Sequence, residues 1–373
     1  MLFVLSGGGT AGHINPALAL ADVLQERGHH VLFAGTPQGI EGPLVRAAGI
    51  EFVPFEASGF NRSHPTTLVS AVAKMVRSTG KARKWLEEVA PDAVVCFGGY
   101  VSIAVGRAAC RCNIPLVIHE QNSVMGLANR YLAKKAQAVA VTYERSGDAL
   151  RDKGALVVTG NPVRKAVLEA SRKEGRALLG MPEEALMLLV FGGSLGARHI
   201  NSAVIAQKGR LLATEGLSIV HITGPKEYDG VVEALALDDE EEKRWLVFSY
   251  QDRMGDVLAA ADMVLSRSGA TSLAEISACR LPALLVPFPF ATEDHQTVNA
   301  QAFVERGAAL MVADDELDSP RFPEALFRMI EDPQLRRDMS KAQAGFKAED
   351  AATVLADVVI AATQAPNNRY NAS

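Results

Sequence analysis

The sequence predicts an α/β protein of two Rossmann-like halves, each a doubly wound parallel sheet, facing each other across a cleft. Three observations predict it. Short, continuous apolar runs alternate with helical patterns along the chain, as buried parallel strands and their crossover helices do. The runs end in turn residues, the first of them in three consecutive glycines, where backbone turns sharply or lies close to something. The opening pattern then restarts. "FVLSGGGTAGHINPALALA" is answered by "MLLVFGGSLGARHINSAVIA", so Gly8, Gly9, Thr10 and Gly12 match Gly192, Gly193, Ser194 and Gly196. A chain of 373 residues also exceeds one ordinary core.

In order, "LFVLS" reads as the first strand, and the glycine turn leads into "NPALALADVLQERG". There Pro16 suits a first helical turn and Gly28 a helix end. "HHVLFAG" is the next strand. From Ala57 to Leu86 the chain has no Asp or Glu but carries Arg62, Lys74, Arg77, Lys81, Arg83 and Lys84. Lys74, Arg77, Lys81 and Lys84 share helical spacing beside an apolar set, Leu68, Val72, Met75 and Trp85. "PDAVVCFGG", "IPLVIHEQN", "AQAVAVT" and "ALVVTGNPV" follow as strands. Asn161-Pro162 breaks regular structure and marks the boundary. "LSIVHITG", "WLVFSY", "ADMVLSRSG" and "LPALLVPFP" build the second half, with "LDDEEEKR" near Glu240 read as a solvated loop and "APNNRYNAS" as a frayed tail. The expected division is 1–162, 163–345 and 346–373, the last a helix and tail packing back on the first half.

Composition removes several classes. A formal net charge of -5 gives no reason to expect nucleic acid. Cys96, Cys110, Cys112 and Cys279 form no C-x-x-C pair and no disulfide framework, and read as small thiols in a reducing cytoplasm. Met1 to Leu5 is too short for a signal peptide, and no apolar stretch reaches the roughly 18 residues of a membrane span. The expectation is a cytosolic protein that touches a membrane, if at all, from its surface. No His/Cys cluster has metal-ligand spacing, so no metal is required.

A glycine turn from strand to helix offers free backbone N–H groups and the positive end of a helix dipole, and phosphate is the natural guest. Tight packing of strand against helix explains glycine equally well at one turn; the repeated turn favours phosphate at one of them. Neither turn is a Walker loop or the full dinucleotide fingerprint. His13 stands where a helix start favours the neutral ring, either as a general base or as a cap. "HEQN" (His119, Glu120, Gln121, Asn122), "SRSGATSLAEI" with Glu275, and "PFPFATEDHQTVNA" with His295 and Gln296 all follow strands, at the edge where parallel sheets bind ligands.

With "GGGTAGH", "HEQN", "GNPVR", "GGSLGA", "SRSGATSLAEI" and "HQTVNA" in this order, nearly the whole chain resembles the MurG family. These are the peptidoglycan glycosyltransferases that add N-acetylglucosamine to undecaprenyl-pyrophosphoryl-N-acetylmuramoyl pentapeptide. Ala11 departs from the pattern, standing where the family often has glycine. The resemblance implies the B-type glycosyltransferase fold, with a first half that faces acceptor and membrane and a second that binds UDP-N-acetylglucosamine. It implies that Ser194 holds the diphosphate, Glu275 the ribose, Gln296 the sugar hydroxyls, and main chain near Gln251 the uracil. Arg164 would lie near the diphosphate, Asn122 would reach the site from the first half, and Thr10, Ala11 and Gly12 would face the acceptor pyrophosphate or the donor sugar. Inversion at the anomeric carbon then needs a base, with His13 first and Glu120 or Asn122 as alternatives. No metal is implied.

A UDP-N-acetylglucosamine epimerase of the same fold, or a protein that binds a nucleotide sugar without chemistry, are the other readings. The segment holding Leu68, Val72, Lys74, Met75, Arg77, Lys81 and Trp85 bears on the choice. By itself it reads as an ordinary surface helix; with a lipid-linked acceptor implied, it reads as a contact with an anionic membrane. The expected setting is the cytoplasmic face of the cell membrane, with other cell-wall synthesis proteins as partners.

Overall fold

The computed structural model describes residues 1–57, 66–150, 155–193, 196–346 and 350–364. The chain divides into two compact units, one of Met1–Arg164 with the segment from Glu349 on, the other Lys165–Ala348.

Unit 1 runs β1 (Leu2–Ser6), α1 (Ala11–Glu26), β2 (His30–Gly35), α2 (Glu41–Ala47), β3 (Glu51–Pro54), α3 (Thr66–Val89), β4 (Ala93–Cys96), α4 (Tyr100–Arg111), β5 (Leu116–Glu120), α5 (Leu127–Ala133), β6 (Ala138–Val141) and β7 (Leu156–Val158). Unit 2 runs α6 (Lys165–Leu168), α7 (Arg172–Leu179), β8 (Leu186–Phe191), α8 (Arg198–Ile205), α9 (Lys208–Ala213), β9 (Leu217–Ile222), α10 (Tyr228–Leu235), α11 (Asp239–Glu242), β10 (Trp245–Phe248), α12 (Met254–Ala260), β11 (Met263–Ser266), α13 (Ala270–Ala278), β12 (Ala283–Leu285), α14 (His295–Val304), β13 (Ala309–Met311), α15 (Arg321–Glu331) and α16 (Pro333–Gln343). The last helix, α17 (Ala351–Gln364), belongs to unit 1.

The sheets have orders β3-β2-β1-β4-β5-β6-β7 and β10-β9-β8-β11-β12-β13. Every pairing is parallel. Both are doubly wound, and in each the order reverses beside the strand that ends in the glycine turn. β1 shows why the apolar runs became strands: Phe3, Val4 and Leu5 are all fully buried, so both faces of the strand are covered. α17 closes the unit 1 core, where Leu355, Ala356 and Val359 pack with Phe3, Ile14 and Leu18. Full burial of one such side chain contributes about 1.5–3 kcal/mol. In unit 2, Trp245, Phe322 and Phe327 fill the core under β8 and β9.

Four expectations are corrected. α1 begins at Ala11, so Pro16 sits beyond the first turn, inside the helix. Gly28 does follow its end, with φ +77. "LDDEEEKR" is not a loop. Asp238 accepts from the N–H groups of Glu240 and Glu241 and closes a capping box that starts α11. The boundary drawn after Pro162 moves, because Arg164 belongs to unit 1, where its Nε lies 3.2 Å from Asp22 on α1. In the basic segment, Trp85 packs its ring 5.3 Å from Phe55 and Met75 is half-buried, so these two side chains serve the core face of α3. Lys74, Arg77, Lys81 and Lys84 lie on the exposed face. The side chains of Leu68 and Val72, and the expected tail "APNNRYNAS", lie outside the described residues.

Candidate functional site

In unit 1 the site grows from the end of β1. Gly7, Gly8 and Gly9 leave the strand, and Gly9 takes φ +88. Thr10 stays extended as the helix N-cap, and the His13 N–H donates to its carbonyl at 3.1 Å. The His13 ring turns back over the glycines. Its Nδ1 lies 2.8 Å from the Gly8 carbonyl oxygen and 3.5 Å from the Thr10 hydroxyl. A carbonyl only accepts, so Nδ1 carries a proton, and in the neutral ring that leaves the lone pair on Nε2.

A second glycine pair completes this pocket. Gly98 and Gly99 follow β4 with φ +111 and +83. A Cβ on Gly98 would come within 3.0 Å of His13 Nε2, and one on Gly99 within 2.5 Å of the Gly8 oxygen. The buried Ser102 hydroxyl lies 2.7 Å from Gly98 O and 2.9 Å from Ser6 O, tying the ends of β4 and β1 together. Sequence reading took "VVCFGG" only as a strand; its double glycine, like that after β1, was the available signal.

Glu120 closes the candidates of unit 1. It is buried, with Oε1 accepting from the Asn122 backbone N–H at 3.0 Å and Oε2 from Gly126 N–H at 3.0 Å and Asn129 Nδ2 at 2.9 Å. Both oxygens are spent on holding the loop after β5, which leaves no lone pair aimed at a substrate. Asn122 is half-buried beside it, its Nδ2 3.3 Å from Glu120 Oε1. His119 is fully buried and its pKa is pushed down to about 4 by that burial. It is a neutral structural residue, its Nε2 3.0 Å from Gly160 O. Thr10 is exposed, Ala11 and Gly12 are half-buried, and all three lie at the same helix start as His13.

In unit 2 the matching turn follows β8. Gly193 and Gly196 take φ +90 and +78, and Ser194 lies outside the described residues. A Cβ on Gly196 would meet Thr223 O at 2.3 Å, so this backbone requires glycine. Asn201 on α8 donates to Thr223 O at 3.1 Å and bonds His221 Nε2 at 3.0 Å, anchoring the helix behind the turn. Burial pushes the His221 pKa down to about 4. Arg267, nearly buried after β11, reaches Val286 O at 3.2 Å, Pro287 O at 3.0 Å and Asp314 Oδ1 at 2.5 Å. Asp314 in turn meets His199 Nδ1 at 2.9 Å, and that hydrogen bond is the main reason the His199 pKa is raised.

This frame holds the remaining candidates of unit 2. Glu275 is half-buried on α13 beside Cys279, whose thiol is pushed up to about 12, first by burial and then by the Glu275 charge. Gln296 lies in the first turn of α14, its Oε1 accepting from Phe288 N–H at 3.0 Å and its backbone oxygen from Ser268 Oγ at 2.8 Å. Gln251 is half-buried between β10 and α12. The helices α1, α8 and α13 carry no acidic residue at the N-cap or in the first turn, which leaves three positive helix ends without an acid of their own, whereas α14 has Asp294 as its N-cap. Among the described residues no cluster of His, Cys, Asp or Glu could hold a metal ion, and no helix is long and apolar enough to cross a membrane.

Comparison with known proteins agrees with this fold. The family model for the glycosyltransferase family 28 N-terminal domain matches residues 3–141, and that for the family 28 C-terminal domain matches residues 187–355. The chain is 38% identical over 346 residues to the UDP-N-acetylglucosamine--N-acetylmuramyl-(pentapeptide) pyrophosphoryl-undecaprenol N-acetylglucosamine transferase of Halothermothrix orenii, covering 91% of this chain and 93% of that one. Among solved structures it is similar to MurG of Acinetobacter baumannii, with a TM-score of 0.72 and 25% identity over 96% of this chain and 99% of that one. It is also similar to a UDP-GlcNAc 2-epimerase of Neisseria meningitidis, with a TM-score of 0.68 over 97% of this chain and all of that one (100%); at 16% identity that likeness shows the fold alone.

Proposed function

The chain belongs to the MurG family of glycosyltransferases, and from that premise we propose how its two units divide one reaction. The activity is transfer of N-acetylglucosamine from UDP-N-acetylglucosamine to undecaprenyl-pyrophosphoryl-N-acetylmuramoyl pentapeptide, a step of peptidoglycan synthesis.

In this reading unit 2 takes the donor. The turn holding Ser194 and the α8 start receive the diphosphate, Glu275 accepts from the ribose hydroxyls, Gln296 meets the sugar hydroxyls, and main chain near Gln251 meets uracil. Unit 1 takes the acceptor, with Thr10, Ala11 and Gly12 toward its pyrophosphate or the donor sugar and Asn122 beside them, while Arg164, held by Asp22, serves the donor diphosphate. The observation that carries the assignment of the base is the 2.8 Å contact of His13 Nδ1 with Gly8 O, which leaves Nε2 to receive a proton. The acceptor 4-hydroxyl attacks the anomeric carbon from the face opposite UDP. The new C–O bond forms as the bond to the diphosphate breaks, the hydroxyl proton passes to Nε2, and the configuration inverts. Helix N-termini stabilise the charge that develops on leaving UDP, so no metal is needed.

The exposed face with Lys74, Arg77, Lys81 and Lys84 supports a peripheral position on an anionic membrane, at its cytoplasmic face where a nucleotide-sugar donor is present. Incubation with UDP-N-acetylglucosamine and a short-chain lipid-linked acceptor tests the function through the disaccharide product. Excess EDTA is expected to leave the rate unchanged; a loss restored by a divalent ion would overturn the metal-free part.

A further inference from the structure

Two acids of unit 1 are buried among the described residues, and they are treated in opposite ways. Glu120 has hydrogen-bond donors on both carboxylate oxygens. Glu41, the first residue of α2 and fully buried, has donors on only one. Its Oε1 accepts from the Thr36 hydroxyl at 2.5 Å and the Thr36 N–H at 3.3 Å. No donor among the described residues reaches Oε2. A buried carboxylate oxygen left unpaired is costly, and native structures keep few of them.

Three glycines make room for this carboxylate. A Cβ on Gly8 would lie 2.5 Å from Oε1, one on Gly39 1.8 Å from Oε2, and one on Gly35 2.8 Å from Cγ. Gly8 is the residue whose carbonyl accepts the hydrogen bond from His13 Nδ1–H. Glu41 therefore lies close to the Gly8 Cα, and the Gly99 backbone lies close to the Gly8 oxygen that meets the imidazole. No charged side chain among the described residues hydrogen-bonds the ring itself.

We infer that Glu41 is a positioning residue for His13: its buried carboxylate seats the Gly8 peptide, which holds the proton on Nδ1 and leaves Nε2 for the acceptor. The inference rests on the reading of His13 as the base. Glu41 does not touch substrate. It acts one peptide away, as a brace of the imidazole.

A double-mutant cycle on the full chain tests this, with wild type, Glu41→Asp, His13→Ala and the double variant assayed on the lipid-linked acceptor. Glu41→Asp keeps the charge and withdraws it from Gly8. Its kcat is expected to fall about ten- to a hundred-fold, as for a small misplacement of a catalytic group, with the KM for UDP-N-acetylglucosamine unchanged. In the His13→Ala background the same change is expected to cost nothing further. The ring 15N signals of His13 should show the Nδ1–H tautomer in wild type and a mixture of tautomers in Glu41→Asp. If Glu41→Asp does not fold, Glu41→Gln, which keeps an oxygen for Thr36, takes its place with the same coupled loss expected. An equal loss in both backgrounds, or wild-type kcat, overturns the inference and leaves the function standing. Full turnover in His13→Ala overturns the base as well, and a wild type that makes no disaccharide overturns the function itself.

Discussion

The two glycine turns start alike and finish differently. Gly9 and Gly193 share a left-handed backbone, with φ +88 and +90, and each follows a strand paired on both sides. In unit 1 the helix starts at once. Ala11 and Gly12 are already helical, and His13 rides in the first turn. In unit 2 the backbone turns left-handed again at Gly196, Ala197 stands at the position of His13, and α8 waits until Arg198. The early start puts a side chain in the first turn, and the late start leaves Gly196 and Ala197 outside the helix. On the proposed reading, one loop pattern serves a proton acceptor in one unit and an anion cradle in the other.

The hardest break of that comparison is His13→Ala, which makes the first turn resemble the second. Turnover is expected to fall about a hundred- to ten-thousand-fold, the usual contribution of a positioned base. UDP affinity, read by titration, should be unchanged because the cradle is in unit 2. Near-normal turnover would mean that the turns do not divide these roles.

The second test sets the buried histidines against each other. His119 and His221 both have pKa values pushed down from 6.5 to about 4 by burial. The unfolded chain therefore binds protons that the folded chain refuses as pH falls from 6.5 toward 4, and stability is lost in that window. Each histidine contributes a loss on the order of 3 kcal/mol. His199 works in the opposite sense: its pKa is raised, so its contribution is present below 6.5 and fades as pH rises through the folded value. Below the range in which thiols ionise, unit 2 should weaken on both sides of 6.5 and unit 1 only on the acid side. The chain has two tryptophans, Trp85 in unit 1 and Trp245 in unit 2, so denaturation of Trp245→Phe and Trp85→Phe variants reads the units separately. A pH dependence that is the same through both probes would refute the difference.

Glu275→Ala sharpens the comparison from the other unit. Loss of a charge-assisted hydrogen bond is expected to weaken UDP binding by about 1.5–3 kcal/mol. Equal affinity by calorimetry would remove Glu275 from the site. The smallest effect per residue concerns α3. Changing Lys74, Arg77 and Lys81 to Glu should release the chain from anionic vesicles, at about 1 kcal/mol for each charge. Turnover on a short-chain soluble acceptor should persist; undiminished vesicle binding would make α3 a plain surface helix.

The fold was readable because parallel strands are buried on both faces: each run such as "LFVLS" or "LSIVHITG" carries its own signal, and the repeated turn set the two units. Helix starts were less readable. Pro16 looked like a first-turn residue because proline is best tolerated there, yet the glycine turn allows α1 to begin before it. "LDDEEEKR" looked solvated because it is, and the cap that makes it helical is one side chain, Asp238. His13 was legible beside its glycines. Its supports were not, because Glu41 lies far along the chain in "QGIEGPLV", where an acid reads as surface, and only the fold brings it beneath Gly8. The surroundings of Glu120 were hidden for the same reason, since its donors in the loop after β5 and Asn129 on α5 cannot be seen in "HEQN".

α17 has a further consequence, for synthesis. Unit 2 is one continuous stretch, Lys165–Ala348, and is whole before α17 is made. Unit 1 is not. As it leaves the ribosome its core lacks Leu355, Ala356 and Val359, so Phe3, Ile14 and Leu18 wait beside an open apolar face. The half that is translated first is thus the half that finishes folding last, and a chain stopped before Ala351 would present that face to chaperones and proteases.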